Sequence, residues 1–271
     1  MPKVRLDALL LKRGEFESRA RAAAAIREGR VRVGGETVTK PGAFVEEDCD
    51  IAVSHATDYA SRGALKLEKA LDTFGVDPGG RVCVDCGAST GGFTDCLLRR
   101  GARKVYAVDV GYGQLIERLR QDARVVVMER MNVRDLAPEA LPERPSLAVI
   151  DVSFISLRLI LPPVRALLSE GGEAVCLIKP QFEAGRENIG KKGVVKSRAV
   201  HEMVLRRWME NAESAGFFVA GLTHSPIMGS DGNIEFLGHL TTVKADKPPI
   251  LPGEVVKAAH EALTARDRAA R

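Results

Sequence analysis

The chain has 271 residues, 45% of them hydrophobic, and a formal net charge of +4. That length suits one ordinary domain with a small one attached, and the apolar fraction permits a sizeable core. The chain holds no run of 18 or more apolar residues, and its start, Met1-Pro2-Lys3-Val4-Arg5, leads into an amphipathic pattern. A membrane span and a signal peptide are therefore not expected, and a soluble, cytoplasmic protein without membrane partners is. The five cysteines are scattered; Cys83 and Cys86 form a C-x-x-C, but no second pair or His cluster supplies further metal ligands. They read as small buried apolar residues, and no metal is expected.

The charge is uneven. Residues 1–40 carry ten Lys or Arg against five acids, so a basic module precedes a near-neutral body, as in proteins that meet a polyanion. Within residues 1–56, Leu6, Leu9 and Leu10 make a helical stripe. Ser18 can cap a second helix with Ala22, Ala25 and Ile26 inward, and Gly29 stops it. Val31 and Val33 alternate with Arg30 and Arg32 in a short strand turned by Gly34-Gly35. The string Arg5-Leu6-Asp7, Ser18-Arg19, Ile26 and Gly29-Arg30-Val31-Arg32-Val33-Gly34-Gly35 resembles the alpha-L RNA-binding motif shared by a ribosomal small-subunit protein, tRNA synthetases and pseudouridine synthases. The resemblance implies a small α+β RNA-binding domain with Arg5, Arg19, Arg21 and Arg30 facing RNA. Arg19 and Arg21 would contact phosphates, which gives affinity without sequence choice.

Residues 57–62 read as a short polar connector. A helix over 61–71 follows, with Ala64, Leu67, Ala70 and Leu71 on one face. Strands over 81–86, 103–109, 124–128, 146–151 and 172–178 then alternate with helices over 91–100, 113–121, 156–168 and 198–215. This is the pattern of a doubly wound α/β fold with a mostly parallel sheet. Strands over 217–224 and 234–241 close it as an antiparallel hairpin like that of class I Rossmann-like methyltransferases, which makes seven strands in a domain over 63–245. Residues 246–271 are an alanine-rich tail with a helical pattern, expected to pack on the surface or fray.

The segment Val82-Cys83-Val84-Asp85-Cys86-Gly87-Ala88-Ser89-Thr90-Gly91-Gly92-Phe93 carries the most chemistry. An apolar, β-branched run breaks at glycines and resumes as a helix, so a ligand can approach bare backbone amides at the positive end of a helix. A P-loop needs Lys-Ser/Thr after its last glycine, and Phe93-Thr94 stands there; a dinucleotide loop needs a middle glycine that Ser89 replaces. The pattern Asp-x-Gly-x-x-x-Gly-Gly instead looks like the first motif of S-adenosylmethionine-dependent methyltransferases. Such a site needs an acid at the end of the next strand, about 20 residues on, to hold the ribose hydroxyls, and Asp109 after Val105-Tyr106-Ala107-Val108 is that acid. The resemblance implies a cofactor site at Asp85, Gly87, Ala88, Ser89, Gly91, Gly92, Phe93, Asp109, Val110, Asn132, Val133 and Asp151. Asn132 stands where an acid often meets the adenine amino group, and an amide can still accept that bond.

A ribose hydroxyl is a poor nucleophile until a base takes or weakens its proton. Four polar residues sit where they could act on it: Lys66 on the helix before the sheet, Asp151 and Lys179 at strand ends, and Glu235 early in the last strand. In order and context they match the Lys-Asp-Lys-Glu tetrad of the FtsJ-like RNA 2'-O-methyltransferases. Asp151-Val152-Ser153-Phe154-Ile155-Ser156, Ile178-Lys179-Pro180-Gln181-Phe182-Glu183 and the glycine loop, behind the alpha-L module, resemble the TlyA family in particular. That resemblance implies S-adenosylmethionine-dependent methylation of cytidine 2'-hydroxyls in ribosomal RNA, with ribosomal subunits as partners. Lys179 would be the base or hydroxyl activator, Lys66 and Glu235 would orient it and the ribose, and Asp151 would steer the lysines. The loop 183–193, with Lys191 and Lys192, suits a lid that touches RNA phosphates. Two other readings stay open. A base methyltransferase would need a different motif at the end of the fourth strand, and a membrane-lytic hemolysin, a label used in the same family, would need a spanning or strongly amphipathic basic segment.

Overall fold

The structure, a computed structural model, describes residues 3–16, 18–27, 29–53, 59–190, 193–229, 231–244 and 249–269. The chain forms two compact units that divide between residues 58 and 59.

In the first unit, β1 (Lys3–Arg5) leads into α1 (Leu6–Lys12), and α2 (Arg19–Arg27) follows. Then come β2 (Val31–Val33), β3 (Glu36–Thr37), β4 (Phe44–Glu46) and β5 (Ile51–Val53). The sequence pattern anticipates the two helices and β2 but not β1, β4 and β5, which are three residues long and show too little alternation to be read. β1 pairs with β4, and β2 pairs with both β3 and β5. Gly34 and Gly35, both with positive φ, make the tight β2–β3 turn. Leu6, Leu10, Ala22, Ala25, Ile26 and Val31 form the core.

The second unit opens with residues that look like connector but are tied down. Tyr59 Oη donates to Glu68 at 2.9 Å, and Ala60 N donates to buried Asp95 at 2.7 Å. In order follow α3 (Ala64–Phe74), β6 (Val82–Cys86), α4 (Gly92–Arg99), β7 (Lys104–Asp109), α5 (Glu117–Arg120) and β8 (Val125–Glu129). Next are β9 (Leu147–Ile150), α6 (Leu161–Leu167), β10 (Glu173–Ile178), α7 (Pro180–Glu183), α8 (Arg198–Ser214), β11 (Phe218–His224), β12 (Phe236–Thr241) and α9 (Pro252–Ala269). The seven-stranded sheet runs β11-β12-β10-β9-β6-β7-β8, with β12 antiparallel to both neighbours and the other pairs parallel. Its strands read as continuous apolar runs because both faces are covered. Val84, Cys86, Ala148, Ile150, Cys176 and Ile178 face α6, α8 and α9, while Cys83, Val105, Leu147, Val149, Val175 and Leu177 face α3 and α4.

Three helices differ from the sequence reading. The span 113–121 keeps only Glu117–Arg120, since the backbone at Ile116 is still extended, with φ −64° and ψ 149°. The span 156–168 splits into a 3-10 turn at Leu157–Leu159 and α6, since Pro162 and Pro163 lack the N–H groups a helix interior needs. The tail is α9, and it buries Val256, Ala259 and Leu263 in the same core as α8.

Candidate active site

Strand parity decides which polar groups meet. Side chains alternate along a strand, so Asp151 is in step with Leu147 and Val149, Lys179 with Val175 and Leu177, and Glu235 with Leu237, all residues of the α3/α4 core. Asp85 and Asp109 share that face through Cys83, Val105 and Ala107. Lys66, on α3, comes to the same place from above.

Two ion pairs result. Lys66 Nζ meets Glu235 Oε2 at 2.6 Å, with side chains 11% and 3% exposed. Lys179 Nζ meets Asp151 Oδ1 at 2.6 Å and donates to Ser153 Oγ at 2.9 Å. The β10–β12 register ends at Ile178 opposite Phe236, so Lys179 and Glu235 leave adjacent strands side by side. On the other flank β9 pairs with β6, and Asp151 N donates to Cys86 O at 3.0 Å. The chain winds outward from β6 in one direction through β7 and β8 and in the other through β9 and β10. This reversal is the crevice where open α/β sheets bind ligands. A Cβ on Gly87, whose φ is +91°, would lie 2.5 Å from the Asp151 carbonyl oxygen, so only glycine lets β6 end here.

Outside these strand ends lies a cleft of about 470 Å³. Of the residues expected at a cofactor, Gly87, Ser89, Asp109, Val110, Asn132, Val133 and Asp151 line it. Ala88 and Phe93 are buried instead. A Cβ on Gly91 would strike the side chains of Leu119 and Leu115, and one on Gly92 would strike Ser61 Oγ, so these two glycines serve close packing. Asp85 is fully buried; Thr94 donates to one of its oxygens at 2.7 Å, and the other has no hydrogen-bond partner among the described residues. Burial pushes its carboxyl up to about 7. Asp109 accepts from Ser89 N at 2.8 Å and Gly111 N at 2.7 Å, which aims the carboxylate along the cleft wall. Asn132 Oδ1 accepts from Arg134 N at 3.1 Å and Arg134 Nε at 3.2 Å, so the oxygen expected to meet an adenine is already engaged within the chain. Among the described residues, the non-glycine positions with positive φ are Ser89, Arg130 and Phe154. Ser89 and Phe154 line the cleft and Arg130 adjoins Met131, which also does. Strain of this kind collects at functional sites.

The sequence matches the FtsJ-like methyltransferase family over residues 59–242. The chain belongs to that family. Residues 4–51 match the S4 domain. The 16S/23S rRNA (cytidine-2'-O)-methyltransferase TlyA of Mycobacterium tuberculosis is 43% identical over 242 residues, covering 89% of this chain and 90% of its own. Hemolysin A of Brachyspira hyodysenteriae is 43% identical over 237 residues, covering 87% of this chain and 99% of its own. A solved structure from Streptococcus thermophilus, also carrying the hemolysin name, is 46% identical, covers 99% of each chain and superposes with a TM-score of 0.78.

The structure adds neighbours to Lys66, Asp151, Lys179 and Glu235. Ser153 holds Lys179, and Phe154 stands 91% exposed at the cleft with its ring centroid 5.2 Å from that of Phe182. Their signal in the sequence is an aromatic between serines directly after a strand-end acid. Of the arginines expected to face RNA, Arg5 and Arg19 both grip buried Asp7, at 2.8 and 3.1 Å, yet keep about half of their side-chain surface in solvent. The hydrogen-bonded Arg5 guanidinium, joined by Arg19, holds the Asp7 carboxyl down at about 2. Arg30 lies 6.0 Å from the Phe16 ring centroid. The Arg21 side chain, Lys191 and Lys192 lie outside the described residues. As for the membrane-lytic reading, among the described residues no helix is long and apolar enough to cross a membrane. Nor do those residues hold a cluster of side chains suited to a metal ion.

Proposed function

We propose that this chain methylates the 2'-hydroxyl of a cytidine ribose in ribosomal RNA, with S-adenosylmethionine as donor. The observation that carries the reading is Lys179, set at a strand end between Asp151 and Ser153 where the cleft opens. The cleft's residues fit the cofactor: Val110, Met131, Val133 and Ile155 offer apolar walls to a purine, Asp109 offers acceptors to a ribose diol, and Asp151 offers negative charge near a sulfonium. When bound, that cofactor supplies an electrophilic methyl group.

The chain's own residues do the rest. Lys179 orients the ribose hydroxyl and takes its proton as the methyl group is transferred, and Asp151 and Ser153 hold the ammonium that forms. The buried Lys66–Glu235 pair braces the neighbouring strand end and fixes the ribose's approach. Gly87 and Ser89 of the glycine loop, with Asp109, Val110, Asn132 and Val133, bind the donor. Arg5, Arg19, Arg21 and Arg30, with Lys191 and Lys192, hold RNA phosphates. In this reading residues 1–56 dock on a ribosomal subunit in the cytoplasm, 57–62 connect, 63–245 carry the chemistry and 246–271 complete the fold.

The test maps ribose methylation in 16S and 23S RNA from cells with and without the gene. Loss of one or more 2'-O-methylcytidines, restored by wild type but not by Lys179→Ala, is expected. Methylation of a base in place of a ribose would overturn the reading. Dye release from liposomes by the purified protein would support the lytic alternative.

A further inference from the structure

Glu183 has no role in the tetrad, yet its carboxylate joins the two loops that carry it. It follows Lys179 by four residues, at the end of α7. One oxygen accepts from Ser156 Oγ and the other from Leu157 N, both at 2.7 Å. Bonds to an ionised acceptor are roughly twice as strong as neutral ones. Burial nonetheless pushes the Glu183 carboxyl up, so the clamp sits in a partly dry setting.

The segments 151–157 and 179–183 are thus stitched at three levels. Lys179 holds Asp151 and Ser153, Phe182 touches Phe154, and Glu183 holds Ser156 and Leu157. Between the stitches Phe154 keeps a φ of +65°. A non-glycine residue there is strained and persists only where its surroundings over-determine it. Asp151 N on Cys86 O fixes the near end of this loop, and Glu183 fixes the far end.

We infer that Glu183 is a positioning residue for methyl transfer, acting through the 151–157 loop to hold Asp151 and Ser153 against Lys179. The inference rests on the methyltransferase reading above. A small displacement at a reacting centre can lower turnover by about 10²-fold. Glu183→Ala is therefore expected to reduce kcat about 10–100-fold while cofactor affinity stays within about twofold and the KM for RNA moves little. Glu183→Gln should recover part of kcat, because its amide oxygen can still accept from Leu157 N. Ser156→Ala should lose less than Glu183→Ala, and the two losses should not add.

The experiment is single-turnover methylation of ribosomal RNA by the full chain, with the cofactor-binding fraction measured by calorimetry for each variant. If Glu183→Ala does not fold, Glu183→Gln and Ser156→Ala carry the same test. A kcat loss that merely follows the binding-competent fraction, or a full kcat in the variants, overturns the inference and leaves the function standing. A wild-type protein that leaves ribose unmethylated overturns the function and this inference with it.

Discussion

Two lysine–carboxylate pairs stand at the ends of adjacent strands, and they differ in what surrounds them. Lys66–Glu235 lies inside, between α3 and β12, with Glu235 almost wholly buried. Lys179–Asp151 lies at the cleft, with Asp151 lining it and Ser153 sharing the ammonium. Equal distances thus describe unequal devices. A buried pair must be matched to avoid a stranded charge, whereas the pair at the cleft stands, in the proposed reading, where an incoming hydroxyl would meet the lysine. In the proposed reading the first is framework beside the chemistry, and the second carries the chemistry.

The largest effect should come from the cleft pair. Lys179→Ala is expected to lose about 10²–10⁴-fold in single-turnover rate, the usual weight of a general acid–base group. Its melting temperature and calorimetric cofactor affinity should stay close to wild type. An equal fall in stability would erase the distinction between the pairs.

The buried pair should answer in stability as well. Lys66→Ala or Glu235→Gln leaves an uncompensated buried partner, and about 3–5 kcal/mol of unfolding free energy should go, read by denaturant titration. The double variant Lys66→Met/Glu235→Leu should regain most of that stability without regaining turnover. If it regains turnover too, Lys66 and Glu235 are scaffold alone.

A smaller effect sharpens the contrast by moving to the other unit. Reversing Arg19 and Arg21 to Glu should weaken RNA association and flatten its salt dependence by about 0.9 in log–log slope for each phosphate left unneutralised. Cofactor affinity should not change. Binding isotherms at several salt concentrations are the check, and an unchanged slope would remove the first unit as the docking surface.

The last effect concerns a carboxyl with no lysine. Asp85 ordinarily titrates near 3.8 and is raised to about 7 here. The folded state then binds a proton that the unfolded state releases first. Its contribution is fully present below pH 3.8 and is lost as pH rises towards 7. Relative to wild type, Asp85→Asn should show a flatter melting temperature between those limits. A parallel pair of curves would mean that folding leaves the Asp85 carboxyl in its ordinary range.

Much of this was legible in the chain because strand parity carries through. The residues expected at the site lie in step with Val149, Leu177 and Leu237, so counting by twos along each strand puts Asp151, Lys179 and Glu235 on one face. The loop–strand–acid pattern likewise anticipated the cleft's Gly87, Ser89 and Asp109. What stayed hidden depends on neighbours distant in sequence. Lys66 and Glu235 are separated by 169 positions, and nothing local says which carboxylate a helical lysine will find. Gly91 and Gly92 look like ligand-facing glycines, yet their neighbours are Leu115, Leu119 and Ser61. The alanine-rich tail gave no sign of its partner because small residues fit both a frayed end and a tight seat on α8.

The left-handed trio of Ser89, Arg130 and Phe154 also bears on how this protein could be made more robust. Glycine at each position would release roughly 1–3 kcal/mol of strain, offset in part by its greater freedom when unfolded. A search for heat-tolerant variants scored by melting alone would be drawn to these three positions. It would select for a slackened cleft rim, so a screen that reads turnover beside melting would reject what the simpler screen prefers.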